Sequence, residues 1–325
     1  MSNRLIQGLA GLACSLLCAA AAAASFPSKP LRVIVAFGPG GVADITARGI
    51  SEGLTEVLGQ PVVIENMPSA GGITGAVAAS RAPADGYTLF VMSNQNAVSP
   101  TLMKSLPYDP LKQFQMVSLA GAFDMVFVVD AASPLKSLDD VVELARSQPD
   151  RFNIGTIGIG STQHLSAEMF RTAEKLSVPT VPFRNSGDVL NALKGGNVQV
   201  AVEMVPAVIG HLRSGSLRAL ALTAAQRNPA LPEVPTVAES GLPALASYRS
   251  VSWNGFAVPA GTPAERVDAL NAGIRKAMQV PRIAERLGKA GMALTPTAPD
   301  QAQRFLGEEI AKWRTVIEEA GVERQ

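Results

Sequence analysis

The residues best placed to do chemistry in this chain carry no charge. Phe37-Gly38-Pro39-Gly40-Gly41-Val42-Ala43-Asp44 stands between the apolar run Leu31–Ala36 and a helix-period pattern through Ile45, Ala47, Ile50 and Leu54. A strand that turns through glycines into a helix exposes backbone N–H groups, and the helix aims its unpaired amides and positive dipole end the same way. Such a turn cradles an anion, either a carboxylate or a phosphate. A second turn of this kind, Gly155-Thr156-Ile157-Gly158-Ile159-Gly160-Ser161-Thr162-Gln163-His164, also follows a strand pattern and opens a helix. Ser161 and Thr162 there can cap the helix or donate hydroxyls. A third segment, Ser93 to Pro100, reads as a loop of small donors and amides at the carboxyl edge of the first sheet, where open α/β sheets bind ligands; Ser93 and Asn94 are its contact candidates. Two such turns, one in each half of the chain, suggest two jaws that close on one small polar or anionic molecule.

Other side chains are candidates of a second kind. Glu203 ends the apolar run Val198–Val202 and can hold a ligand ammonium or amide, or pair with a neighbouring Arg or Lys. Arg184, after the strand pattern Val178–Pro182, is the best candidate for a direct charge contact with an anion. His164 is either structural or a donor to a carboxylate; His211 reads as structural. Two separated histidines with no H-E-x-x-H spacing give no expectation of a metal. There is no G-x-S-x-G elbow and no Lys-Ser or Lys-Thr after the glycines, so neither a serine hydrolase nor a Walker A loop is indicated.

The rival reading of the first turn is a dinucleotide site. Gly38-Pro39-Gly40-Gly41-Val42-Ala43 fits G-x-G-x-x-A, and Glu65 follows about 20 residues on, where a ribose-binding acid would sit. The protein would then be an exported α/β oxidoreductase. Against this, Pro39 stiffens a turn that must wrap a pyrophosphate closely, and no catalytic His–acid or Tyr–Lys pair is visible downstream.

The elements that must position these residues alternate. Strand patterns at Leu31–Phe37, Val62–Glu65 and Thr88–Met92 interleave with helix patterns at Asp44–Leu58 and Ile73–Arg81, the signature of βαβ units and a parallel sheet. Val117–Ala120 and Met125–Val129 read as a pair of strands with a kink between them, a natural crossing into a second lobe. That lobe repeats the alternation from a helix at Leu138, which Ser137 can cap and Asp139 and Asp140 favour, to a strand at Leu217–Thr223. Val251–Pro259 can cross back, and the C-terminus is helical, its last helix packing through Phe305, Ile310, Trp313 and Ile317. The expected division is 25–121 with 250–325 as one lobe and 122–249 as the other.

The first 24 residues read as a secretory signal: one charge, Arg4, then an apolar Leu/Ala-rich segment and the small residues Ala20 to Ala24. The alternatives are a membrane anchor, for which the apolar core is short, and a lipoprotein, for which neither Cys14 nor Cys18 has Leu three positions before it. Cleavage removes both cysteines, so disulfides and thiol chemistry go with them. The 28 basic and 27 acidic residues nearly balance and form no basic run, so nucleic acid and anionic membranes are not expected partners.

The assembled motifs resemble a known family. They run from Phe26-Pro27-Ser28-Lys29-Pro30-Leu31-Arg32 through Gly40-Gly41-x-x-Asp44, Leu58-Gly59-Gln60-Pro61-Val62 and Asp85-Gly86-Tyr87-Thr88-Leu89. Leu106-Pro107-Tyr108-Asp109-Pro110, Gly160-Ser161 with His164-Leu165, and Pro232-x-Val234-Pro235-Thr236-Val237-Ala238-Glu239 continue the pattern. The whole chain is similar to the Bug receptors, extracytoplasmic solute-binding proteins of tripartite tricarboxylate transport systems. The resemblance implies an α/β, two-lobed periplasmic binding protein of type II, a flytrap whose lobes each have a central, mostly parallel sheet flanked by helices. It implies a periplasmic location, a small carboxylate ligand (a di- or tricarboxylate, an amino acid or an aromatic acid), no cofactor and no catalysis. Membrane transporter subunits or a sensor kinase are the implied partners, and a monomer the implied state. In the family's mode one carboxylate is held by backbone amides and ordered waters, which maps to Phe37, Gly40, Gly41, Val42, Asp44, Ser93 and Asn94. The second lobe then contributes Gly160, Ser161, Thr162 and His164. Departures fall at Gly38-Pro39, where Pro-Pro is frequent, at Phe183-Arg184-Asn185, where Tyr-Lys-Gly is common, and at Glu203-Met204, where Asp-Asn is common. Phe183, Arg184 and Glu203 are therefore the expected selectivity residues.

Overall fold

The computed structural model describes residues 26–325; the signal expected over residues 1–24 lies outside them. Among the described residues ten strands form one sheet: eight follow one path in the order β2-β1-β3-β9-β4-β7-β5-β6, and β10 and β8 each pair with β4 off that path. In chain order these are β1 (Leu31–Val35), β2 (Val62–Asn66), β3 (Thr88–Ser93), β4 (Phe114–Asp130), β5 (Ile154–Ile157), β6 (Thr180–Phe183), β7 (Val200–Met204), β8 (Leu217–Leu222), β9 (Val251–Pro259) and β10 (Met292–Leu294). The helices that matter for the site are α1 (Val42–Leu58), α2 (Ile73–Ser80), α3 (Asn94–Leu102), α4 (Leu138–Ser147), α5 (Thr162–Ala173), α6 (Ser186–Lys194) and α7 (Val205–Arg213). The C-terminal region adds α8 (Ala264–Gln279), α9 (Pro281–Lys289) and α10 (Pro299–Ala320).

The expected strand pair with a kink is one strand. β4 runs for 17 residues, pairing β9 from Phe114 to Asp124 and then β7 and β8 from Met125 to Asp130. Two register shifts against β9, near Val117 and Ala120, bend it, as bulges do. The parallel expectation holds for β2-β1-β3 and for β6-β5-β7. The crossing strands β4 and β9 and the short β8 and β10 add antiparallel pairs, since a strand that carries the chain between lobes cannot be part of a βαβ repeat. The result is a two-lobed α/β architecture.

The inner strands of the sheet are buried on both faces, which is why they read as unbroken apolar runs rather than alternations, while the edge strands β2 and β6 are only partly covered. Along β1, Val33 and Val35 enter a cluster with α1, α8 and α9, while Ile34 and Ala36 enter another with Phe90, Trp253 and Trp313. Along β4, Phe127 and Val129 face one second-lobe cluster and Val126 and Val128 the other. Each such aliphatic side chain contributes about 1.5–3 kcal/mol by burial. α4 opens as expected: Ser137 Oγ accepts from the Asp140 amide at 3.1 Å, and Asp140 accepts from the Ser137 amide at 3.0 Å, a closed capping box. α10 packs against α3 and β4 and also against α5, so the C-terminal helix straddles both lobes.

Candidate ligand-binding cleft

A cavity of about 390 Å³ lies between the two lobes. Phe37, Gly41, Val42, Ser93 and Asn94 line it from the first lobe; Ser161, Thr162, Gln163, Ser186 and Met204 line it from the second; Ser252 and Asn254 come from β9. Among the described residues, no charged side chain lines it. Five helices begin at its wall: α1 after Gly41, α3 after Ser93, α5 after Ser161, α6 at Ser186 and α7 after Met204. Each brings unpaired N–H groups and the positive end of a helix dipole to its own stretch of wall. The electrostatics of an anion site are thus built from main chain alone.

The first turn is braced from within. Gly40 takes a left-handed φ of +82°, and its N–H donates to Asp44 Oδ2 at 2.9 Å. The same carboxylate accepts from Arg48 Nε at 2.8 Å, and its Oδ1 from Asn66 Nδ2 at 2.9 Å. Burial pushes the Asp44 carboxyl up, but the hydrogen bonds from Arg48, Gly40 and Asn66 outweigh it and hold it below its ordinary value. Asn66 also donates to the Phe37 carbonyl at 3.0 Å, fixing the strand end. Asp44 therefore lies buried behind the cavity wall, exposed Gly40 stands outside its lining, and Gly41 and Val42 form it.

Ser93 to Leu102 is not the expected loop. Ser93 caps a helix that contains the third segment, with its N–H donating to Asn96 Oδ1 at 2.9 Å. The small polar side chains that suggested a loop are the cap and first turn of α3, where Ser and Asn are at home. Asn94 Nδ2 donates to Thr162 Oγ1 across the cleft at 2.9 Å. Its Oδ1 accepts from Trp313 Nε1 at 2.7 Å.

In the second turn, Ser161 Oγ accepts from the His164 amide at 3.0 Å, capping α5. Gly160, at φ +77°, sits where a Cβ would run into the Leu102 side chain of the first lobe. His164 is buried behind the wall beside Glu168 and Arg171; burial lowers its pKa, so it is held neutral. Glu203 is fully buried below the second-lobe wall, and burial pushes its carboxyl up. Phe183 and Arg184 are placed elsewhere, in an outer groove with Gly158, Ile159 and Asp188. The reason is topological: β6 is the outermost strand of the path, so Phe183 and Arg184 at its end lie to one side of the cavity, and Ser186 at the start of α6 is the first residue after β6 to reach its wall. His211 is structural, its Nδ1 3.2 Å from Ser216 Oγ.

Sequence reasoning missed Gln163, Ser186, Met204 and the two β9 residues. Ser186 and Met204 could have been found, since each begins a helix just after a strand. Ser252 and Asn254 had no local signal, because a crossing strand shows nothing of what it crosses.

Residues 46–322 match the family described as the tripartite tricarboxylate transporter family receptor. The chain is 35% identical to Protein BugT of Bordetella pertussis over 91% of each chain. Among solved structures, an R. palustris protein with adipate is 32% identical with a TM-score of 0.79, covering 92% of this chain and 100% of that one. MatC from Rhodopseudomonas palustris with bound malate is 31% identical with a TM-score of 0.75, covering 90% and 100%. The periplasmic binding protein BugD is 28% identical with a TM-score of 0.76, covering 92% and 100%. These likenesses give the dinucleotide reading no support, and Glu65, its ribose partner, is held by Arg32 Nε at 2.5 Å. No helix among the described residues is long and apolar enough to cross a membrane. The chain belongs to the tripartite tricarboxylate transporter receptor family, the Bug-type periplasmic solute-binding proteins.

Proposed function

We propose that this protein captures one small carboxylate between its lobes and presents the closed form to a membrane partner, without chemistry on the ligand. The observation that carries the reading is the meeting of five helix N-termini at a cavity that, among the described residues, no charged side chain lines. A singly charged carboxylate suits such a wall: oriented amides bind it well once closure excludes bulk water, whereas a phosphate dianion asks for a cation as well. Family members with adipate and malate support the ligand class.

Gly41 and Val42 with Ser93 and Asn94 hold the carboxylate, and Ser161, Thr162 and the second-lobe wall hold the rest. Closure follows because a ligand touching both lobes binds the closed form better and shifts the population toward it. The lobes divide at 25–121 with 250–325 and at 122–249, and the hinge is the pair of crossing strands. The leader is removed after Ala24, the protein acts as a monomer in the periplasm, and its partner is a transporter's membrane subunits or a sensor kinase.

The test is native mass spectrometry of protein purified from the periplasm, followed by identification of whatever co-purifies and calorimetry with it. An organic acid bound at one per chain is expected. A dinucleotide in its place, or an acid whose affinity is indifferent to substitutions at Gly41 and Thr162, overturns the reading.

A further inference from the structure

One buried acid beside the cleft is not accounted for by the fold. Glu203 ends β7 with 0% of its surface exposed. Its Oε2 accepts from Ser186 Oγ at 2.9 Å and from the Met204 amide at 3.3 Å, and the Gln163 side chain lies beside the same carboxyl. Its Oε1 has no hydrogen-bond partner among the described residues, and no Lys or Arg there pairs with it. All three groups around the carboxyl, Ser186, Met204 and Gln163, line the cavity. A buried acceptor left unpaired costs about 1–3 kcal/mol, more if it is charged, and because Oε1 lies just beneath the wall a donor completes the arrangement when the side chains of Gln163, Ser186 and Met204 part to admit it.

We infer that the second-lobe half of the cleft is built around Glu203 to receive a hydrogen-bond donor, so that the ligand is a monocarboxylate bearing an amino or hydroxyl group rather than a di- or tricarboxylate. This rests on the carboxylate-receptor reading above and narrows it. The charge inventory points the same way. Three of the five helix N-termini stand in the second-lobe wall, but there the Glu203 carboxyl lies beneath them, and among the described residues no cation lines the cavity to offset it against a second carboxylate. An ammonium or hydroxyl instead gives Oε1 its missing partner, and an ammonium also neutralises the carboxylate it faces. Ile157, Pro206 and Ala207 on the same wall give the carbon skeleton between the two polar ends an apolar surface to pack on.

The test is calorimetry of the ligand-stripped protein against acids of matched chain length: amino-substituted, hydroxy-substituted, unsubstituted and dicarboxylate. A donor-bearing acid is expected to bind about tenfold or more tighter than the dicarboxylate of its length. Glu203→Gln, a neutral isostere, should cut the preference for the amino acid over the unsubstituted acid by about the same factor. Ser186→Ala, which frees the carboxyl to turn, should weaken that preference in the same direction. A dicarboxylate bound tightest, or a preference unchanged in Glu203→Gln with its fold intact by circular dichroism, overturns this inference and leaves the receptor reading standing. Binding by no acid of any set overturns both.

Discussion

Asn94 Nδ2 donates to Thr162 Oγ1 at 2.9 Å, a hydrogen bond that joins the first turn of α3 in one lobe to the first turn of α5 in the other. Trp313 of α10 holds the same Asn94 amide from behind, through Nε1 to Oδ1 at 2.7 Å. Trp313 Nε1 also reaches Glu309 Oε2 at 3.1 Å, as does Trp253 Nε1 from β9. A side chain at the cleft wall is thus fixed by the C-terminal helix that straddles both lobes, and the rotamer that allows the cross-lobe bond is set in advance.

Asn94→Ala deletes that bond while Trp313 keeps its contact with Glu309. The expected cost is about 1–3 kcal/mol in unfolding stability, for the buried Thr162 hydroxyl left without a donor. Ligand affinity should fall as well, because the closed form loses a bond that the open form does not make. Chemical denaturation and calorimetry check the two effects separately.

Gly41→Asp separates the site from the fold. Gly41 is the N-cap of α1 at φ −78°, and a Cβ there meets nothing closer than the Gly38 carbonyl at 3.8 Å, so the side chain fits. Asp is a good N-cap and favours the positive helix end, worth about 0.5 kcal/mol over Gly. The same charge repels a bound carboxylate: at about 4 Å and an effective dielectric of about 20 the cost is about 4 kcal/mol, roughly a thousandfold in affinity. The melting temperature should hold or rise while binding disappears. Micromolar binding retained would remove Gly41 from the site.

Asp44→Asn tests the internal brace. Three donors converge on the Asp44 carboxylate, two of them on Oδ2, and an amide offers only one oxygen. At least one of the Gly40, Arg48 and Asn66 donors must then face an NH2 group, at a cost of about 1–3 kcal/mol. Because the folded-state pKa of Asp44 is lowered, its contribution is complete above the ordinary carboxylate range and is lost as the pH falls through the folded value. Wild-type stability should therefore decline on acidification below about pH 4 more steeply than that of the Asn variant. Urea melts across that range measure the difference.

Gly160→Ala probes how closely the lobes approach. The added methyl meets both a left-handed backbone, worth about 1 kcal/mol against Ala, and the Leu102 side chain across the cleft. Pairing it with Leu102→Ala should restore the steric part of any lost affinity but not the backbone part. An additive double mutant would show that the two residues do not meet in the bound form.

The sequence by itself determined the local grammar of this protein. Apolar runs followed by glycine, serine or asparagine and then a helical period marked the strand–helix junctions. Ser137 and Asp140 announced a cap, and the first and second glycine turns were visible as two jaws. These are short-range signals, because caps, turns and periodicity depend on neighbours a few residues apart. The tertiary structure alone decided what the junctions face. It made β4 one bent strand serving both sheets, and turned Ser93–Pro100 from a loop into a capped helix. It sent Arg184 to an outer groove, because β6 is an edge strand. It placed Trp313 against Asn94 across more than half of the chain, and left the Glu203 carboxyl half-satisfied beneath the cleft. Pairing order and burial depend on contacts between segments far apart in sequence, and no residue carries a local mark of the partner that folding will bring to it.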